Sequence, residues 1–254
     1  MNTSLPLRQL PHEKAIDVWL IQLDCPLKPG VDLDGILSEG ERKRADRFVR
    51  DTDAFRFRLC RAMLRLGVAW YLQKTPQEIT FTTGKHGKPR LTPCSSLHFN
   101  VTHSRELALV AFTTIGEVGI DVESIEHGIE ALDIASANFT RNEAAMIAAA
   151  RTPHEQIHIF LRLWTRKEAV FKAAGIGILH GLDTVDVSRE SPSVVDLRSA
   201  SVDIAESSWL VSDLELAGGF MGAIAAPPAD WSIVLWPICA DDLINCFATS
   251  FPGL

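Results

Sequence analysis

The chain has 254 residues, of which 46% are hydrophobic and 22% charged, with a net charge of −7. That is enough apolar material for one large domain or two modest ones, and it excludes a disordered tail. The acidic balance and the 7% aromatic content argue against a nucleic-acid binder, and no apolar run approaches the roughly 20 residues of a membrane helix.

Val18–Leu23 (VWLIQL) reads as the first strand, followed by a loop with Pro26, Pro29 and Gly30. Glu39–Val49 is charged and helical, and Ser38 with Glu41 three residues on has the spacing of a capping box. In Asp53–Leu72, the residues Phe55, Leu59, Met63, Leu66 and Trp70 recur on one face of a 3.6-residue period, while Arg58, Arg61 and Arg65 share another. Pro76 stops that helix.

Ile79–Thr82 is a short strand, and Gly84 to Pro89 is a loop. His98–Thr102 and Leu107–Phe112 form a strand pair around Ser104-Arg105-Glu106, and Val118–Val122 is a further strand. Ala131–Phe139 and Asn142–Ala150 are helices, the second capped by Thr140. Glu155–Ala174 is a second long helix, closed by Gly175 and Gly177. The remainder alternates in strand-like runs at Val185–Val187, Trp209–Leu216, Met221–Ala225 and Trp231–Leu235.

Each half carries a charged helix, a long helix, a glycine-bearing loop and strands, so an internal duplication is expected, with its boundary near Gly116–Gly119. Residues 1–117 hold 17 Lys+Arg against 13 Asp+Glu, and residues 118–254 hold 8 against 19. A basic half beside an acidic half fits a ligand with phosphates at one end and a metal at the other. The five cysteines include no CxxC pair and read as thiols of a reducing compartment. Residues 1–17 have no apolar core run and do not read as a signal peptide, so a cytoplasmic protein is expected.

Three strings carry chemistry. In Gly119-Ile120-Asp121-Val122-Glu123 the two acids share one face of a strand, about 7 Å apart. Oxygen-only ligands of this kind suit Mg²⁺ or Mn²⁺, although two exposed acids at a strand end would look the same. In the segment ending Trp164-Thr165-Arg166-Lys167-Glu168-Ala169-Val170-Phe171-Lys172, the residues Phe160, Trp164, Glu168 and Lys172 share a helix face. A carboxylate beside Trp164 needs a cation or a hydrogen-bond partner. The third string is Gly87-Lys88-Pro89-Arg90-Leu91 with His98-Phe99-Asn100-Val101-Thr102-His103-Ser104. Lys88 offers a charge for phosphate, and Thr102 and His103 offer a hydroxyl and an imidazole at a strand's end.

The GKP…L, F-N-x-[ST]-H-S, G-I-D-x-E and W-T-x-K-E-A-x-x-K strings, in this order from about Glu41 to Val187, resemble the large, surfactin-synthetase-activating type of 4′-phosphopantetheinyl transferase, in its W/KEA-like subgroup. The one departure is Thr102 in place of the family's usual serine, which keeps the hydroxyl. The resemblance implies an α+β fold of two similar subdomains related by a pseudo-twofold axis, with the active site in the cleft between them. Residues 1–117 would form the side facing the 3′-phosphate of coenzyme A, and residues 118–254 the metal and catalytic side.

By the same resemblance, Asp121, Glu123 and Glu168 ligate Mg²⁺, and Lys172 meets the phosphate that is transferred. Arg44, Arg56, Lys88, Pro89, Thr102 and His103 contact coenzyme A, Asp121 lies beside its pyrophosphate, and Glu168 is the expected base. The implied reaction moves 4′-phosphopantetheine to a serine of an apo acyl or peptidyl carrier protein and releases 3′,5′-ADP. The partners are then coenzyme A and the carrier, docked near Thr140–Arg151, and a monomer suffices. Two other readings stand beside it: another Mg²⁺-dependent phosphoryl-transfer enzyme, and a non-catalytic coenzyme A binder.

Overall fold

A computed structural model describes residues 9–84, 86–125, 130–177, 181–197 and 208–250. Its first strand, β1 (Ala15–Gln22), is largely buried on both faces, with Trp19 and Ile21 in one core and Ile16 and Val18 in another. The other strands among the described residues are β2 (Thr80–Thr83), β3 (Pro89–Thr92), β4 (His98–Ser104), β5 (Leu107–Thr113), β6 (Gly119–Ser124), β7 (Ser193–Asp196), β8 (Ser208–Leu214), β9 (Phe220–Ala226) and β10 (Ser232–Ile238). The first sheet has the order β10-β1-β5-β4 and the second β6-β9-β8-β7, while β2 and β3 pair in a separate ribbon. Only β1 with β10 is parallel among these pairs, with Ala15 opposite Ser232.

The helices are α1 (Leu33–Ile36), α2 (Glu39–Ala45), α3 (Asp51–Leu72), α4 (Ala131–Asn138), α5 (Arg141–Ala148), α6 (Pro153–Ala174) and α7 (Ala240–Ser250). None of them, among the described residues, is long and apolar enough to cross a membrane. Helix α3 covers one face of the first sheet, where its Leu59, Met63, Leu66 and Trp70 join Trp19, Val110 and Phe112 in one core. Helix α6 covers the second sheet in the same way, with Phe160, Val170 and Phe171 against Trp209, Ala223 and Ala225. The two remaining sheet faces meet each other: Ile16, Val18, Leu109 and Ala111 pack on Ile120, Val122, Ile224 and Ala226. The result is a mixed α+β stack of helix, sheet, sheet and helix, and β5 is buried throughout because it has protein on both faces.

The last segment of the chain returns to the first layer. Strand β10 pairs with β1, and Leu243 and Phe247 of α7 enter the core beneath α3, with the Phe247 ring 5.9 Å from that of Trp70. The first layer is therefore not built from residues 1–117 alone. Strand pairing across more than 200 residues leaves no local pattern in the sequence.

Two further departures have local causes. Val185–Val187 is not a strand, although both valines are buried. Side chains take its backbone groups instead: Lys167 donates to the Val185 carbonyl, Arg166 to the Val187 carbonyl at 2.8 Å, and Glu143 accepts from the Val187 amide at 2.9 Å. Lys167 and Glu143 are both fully buried and paired at 2.7 Å, with Lys167 also donating to the Leu182 carbonyl. The helix expected over Glu39–Val49 ends at Ala45, and Phe48 and Val49 are exposed.

Helix α2 is held by its own cap. Glu41 accepts from the Ser38 amide and hydroxyl, both at 2.9 Å. The same carboxylate receives Arg61 at 2.6 Å and Arg65 at 2.5 Å from α3. Burial pushes the Glu41 carboxyl up, but Arg61 and Arg65 outweigh it and hold the group below its ordinary value. A carboxyl held lower in the folded chain contributes stability above its unfolded value of about 4.3, and loses it as pH falls through the folded value. The wild-type chain should accordingly lose urea resistance more steeply than Glu41→Gln on the acid side of about pH 4.5, read as unfolding midpoints across a pH series.

Gly119 sets the distance between α6 and the second sheet. A Cβ there would stand 2.0 Å from the Ala169 carbonyl oxygen and 2.3 Å from the Ala173 amide. Both contacts are helix backbone, so neither can swing away. Gly119→Ala should cost more than about 3 kcal/mol, while Gly40→Ala, with nothing within 4 Å, should be neutral or better; thermal melts of the two variants test this.

Candidate active site

Strand β4 is an edge of the first sheet and β6 an edge of the second. Edge strands carry unpaired backbone groups that must be satisfied or covered. Here side chains from alternate β4 residues do much of this work. Asn100 Oδ1 accepts from the Ile120 amide at 3.0 Å. Thr102 Oγ1 donates to Asp121 Oδ1 at 3.0 Å. Ser104 Oγ donates to Glu123 Oε2 at 2.9 Å and accepts from the Ser124 amide at 3.1 Å. The period-2 alternation of β4 thus turns one face of the N-x-[ST]-x-S string onto the G-I-D-x-E string, making a polar seam between the sheets.

Helix α6 adds the second wall. Glu168 and Lys172 lie four residues apart on one helix face. The Lys172 ammonium reaches Asp121 Oδ1 at 2.6 Å, Thr102 Oγ1 at 3.2 Å and the Ile120 carbonyl at 3.3 Å. Asp121 is 4% exposed, and its other oxygen, Oδ2, is buried with no hydrogen-bond partner among the described residues. Burial raises the Asp121 carboxyl despite the pull of Lys172 and Thr102. Burial likewise raises Glu168, to about 7, with repulsion from Asp121 and Glu123 adding to it and Lys172 opposing. The three acids expected to act together are thus electrostatic neighbours.

Among the described residues no group of three or more His, Cys, Asp and Glu side chains stands close enough to be a ready-made metal cage, and Lys172 already occupies one oxygen of Asp121. The donor set nonetheless fits a hard divalent cation. It is all oxygen, it includes the orphaned Asp121 Oδ2, and it sits where carboxylates repel one another. Asp121, Glu123 and Glu168 are the residues that could hold such an ion.

The expected phosphate-binding residues are spread more widely. Lys88 is drawn into the seam, where it meets Glu117 at 2.6 Å, the Val118 carbonyl at 3.0 Å and the Ala173 carbonyl at 3.2 Å. An ammonium has three donors, so the charge expected to grip phosphate is engaged here in joining β6 to α6. Strand β4 runs on to Ser104, so Thr102 and His103 lie within it rather than at its end, and as successive residues they point to opposite faces. Thr102 is buried against Asp121 and Lys172. His103 keeps solvent access, and crowding by protein, with the charges of Lys172 and Arg56 nearby, holds its imidazole below the ordinary value. Arg56 forms a two-pronged pair with Asp24 at 2.7 and 2.8 Å.

Beside the seam opens a cavity of about 630 Å³, lined among others by Arg44, Phe57, Arg61, Arg65, Phe81 and Pro89. Gly87 and Pro89 face this cavity while Lys88 between them faces the seam, so one short loop borders both. The guanidinium of Arg44 lies over Phe57 at 5.2 Å, and those of Arg61 and Arg65 over Phe81 at 5.3 and 5.2 Å. Phe57 and Phe81 are functional candidates that sequence reasoning missed. The arginine stripe on α3 was the available signal for this wall, although its first member, Arg58, turns away to Asp34 and Asp46.

Two family models match the chain in succession: the N-terminal model of 4′-phosphopantetheinyl transferases over residues 33–115, and the 4′-phosphopantetheinyl transferase superfamily over residues 117–225. Among curated relatives, the 4′-phosphopantetheinyl transferase HetI of Nostoc sp. is 30% identical over 224 residues, covering 87% of this chain and 91% of HetI. The 4′-phosphopantetheinyl transferase Sfp of Bacillus subtilis is 26% identical over 229 residues, covering 89% and 99%. AcpT of Salmonella typhimurium, of the same description, is 33% identical over 120 residues, covering 47% and 60%. The second match begins at residue 117, beside the strand that carries Asp121 and Glu123, and the alignment with HetI spans most of both proteins: the chain belongs to the 4′-phosphopantetheinyl transferase superfamily.

Proposed function

We propose that the chain transfers the 4′-phosphopantetheine arm of coenzyme A to a serine of an apo acyl or peptidyl carrier protein and releases 3′,5′-ADP. The observation that carries this reading is the seam itself, where Lys172 is paired with the buried Asp121 and Glu168 is raised to about 7 beside it. The fold is read as two lobes of similar build related by a pseudo-twofold axis. Residues 1–117, completed by β10 and α7, face the nucleotide end of coenzyme A, and the residues from 118 onward supply the chemistry. The enzyme acts as a monomer in the cytoplasm.

The nucleotide is assigned to the cavity walled by Arg44, Arg61, Phe57, Phe81 and Pro89, where guanidinium groups meet phosphate and rings offer stacking surface. His103 and Arg56 flank the phosphates from the β4 side. A divalent cation, Mg²⁺ by family, would be held by Asp121, Glu123 and Glu168 and would neutralise pyrophosphate charge.

The carrier serine oxygen attacks the phosphorus that bears pantetheine. A P–O bond forms there while the bond to the bridging oxygen breaks, and 3′,5′-ADP leaves with the electron pair. Lys172 meets the negative charge that builds on the transferred phosphoryl group, a stabilisation made stronger by the low-dielectric seam. Glu168, one helical turn from Lys172 on the same face of α6, is assigned the serine proton. Thr102 holds Asp121 and Lys172 in register through its single hydroxyl.

Incubation with coenzyme A, Mg²⁺ and a panel of apo carriers should add the phosphopantetheine mass to a serine, detected by intact-protein mass spectrometry. Release of 3′,5′-ADP without any carrier modified would overturn the assignment. Glu168→Gln is expected to lower kcat by about 10² or more with an unchanged melting temperature, measured by the same mass increment over time. Arg141 opens α5 and Arg151 lies just beyond its end, both exposed, on the edge assigned to the carrier. Reversing both to Glu should raise the carrier KM several-fold and leave the KM for coenzyme A unchanged in steady-state assays.

A further inference from the structure

We propose that His154 and His158, on the first turns of α6, form a binding site for one transition-metal ion of the imidazole-preferring class, such as Cu²⁺, Ni²⁺ or Zn²⁺. Thr152 caps this helix by accepting from the Glu155 amide at 3.1 Å, and Pro153 takes the first helical position. The helix start is therefore well defined. A spacing of four residues puts the two rings one above the other on a single face. Their centroids are 4.2 Å apart and their Nε2 atoms 3.1 Å apart.

Two ring nitrogens at that distance repel if each presents a lone pair, so a proton or a cation must be shared between them. With metal–nitrogen bonds of about 2.0–2.1 Å, a separation of 3.1 Å gives an N–metal–N angle of about 98°. That lies between the square-planar and tetrahedral values, and both geometries are used by metals that favour imidazole. Burial and the neighbouring His154 hold the His158 imidazole below its ordinary value, a direction that favours the metal-binding neutral form of that ring. Water completes the coordination on the solvent side. Glu155, the nearest acid in sequence, is committed to the Arg151 amide at 2.8 Å.

This site is distinct from the seam. Glu168 lies ten residues beyond His158, about 15 Å along the helix. The seam acids offer hard oxygen donors, which suit Mg²⁺, whereas the paired imidazoles do not. An ion on His154 and His158 would clip the first turns of the helix whose later turns supply Glu168 and Lys172.

The test is a Cu²⁺ titration of the full chain in excess Mg²⁺, followed by electron paramagnetic resonance, on wild type, His154→Ala and His158→Ala. Wild type should take up one ion with nitrogen splitting in its spectrum, and each variant should bind at least about tenfold more weakly. Mg²⁺-supported turnover should be unchanged in both variants, since neither histidine belongs to the seam. Equal uptake by all three proteins would place the ion elsewhere, for instance on thiols, and overturn the proposal. Absence of uptake by wild type would also overturn it, and the 3.1 Å contact would then be an N–H···N hydrogen bond between the rings.

Discussion

The contact between Lys172 and Asp121 is the constraint around which the rest is arranged. Asp121 is buried beneath the partly exposed Lys172, and among the described residues one of its oxygens has no hydrogen-bond partner. An isolated buried carboxylate costs several kcal/mol. The seam tolerates it because Lys172 comes down from α6 and Thr102 across from β4 onto the same oxygen. Three elements from both halves of the chain must therefore be in place before the charge can be buried. A site of this kind is pre-organised by folding, and much of its electrostatic cost is met before any substrate arrives.

That placement depends on steric detail some distance from the charges. Lys172 can reach β6 only because Gly119 lets the α6 backbone lie almost on the strand. At Gly67 on α3 the close neighbours are rings: a Cβ there would stand 2.4 Å from Phe112 and 3.0 Å from Trp19. The buried Glu143–Lys167 pair is a second anchor for α6. A fully buried ion pair adds little net stability over an apolar pair of the same shape, but removing one partner is costly. Its value here lies in fixing α5, α6 and the segment at 182–187 to one arrangement.

The seam and the large cavity divide the work by chemistry. Acids paired with lysines occupy the seam, while guanidinium groups stacked on rings line the cavity. This matches the charge asymmetry along the chain, basic before residue 117 and acidic after it. The division is not absolute. Glu41 sits on the cavity wall and neutralises much of Arg61 and Arg65, leaving Arg44 as a lining arginine with solvent exposure. Lys88 is a basic residue engaged in the seam. Net charge by segment therefore describes the field at a distance, and the local pairing decides which charge a ligand would meet.

Much of this was legible in the sequence, for physical reasons. The 3.6-residue stripe of α3, the capping box of α2, the Thr140 cap of α5 and the glycine closing α6 act through near neighbours, so local pattern was enough to find them. The alternation of β6 put Asp121 and Glu123 on one face for the same reason. Order along the chain also carried the family, because the four strings keep their sequence whatever the fold does with them. Tertiary structure alone decided the return of β10 to β1, the loss of the strand expected at Val185–Val187 to side-chain hydrogen bonds, and the capture of Lys88 by Glu117 and two carbonyls. Each of these joins residues far apart in the chain. Such contacts are set by which surfaces meet when the layers pack, and a reading of neighbours along the chain contains no record of that.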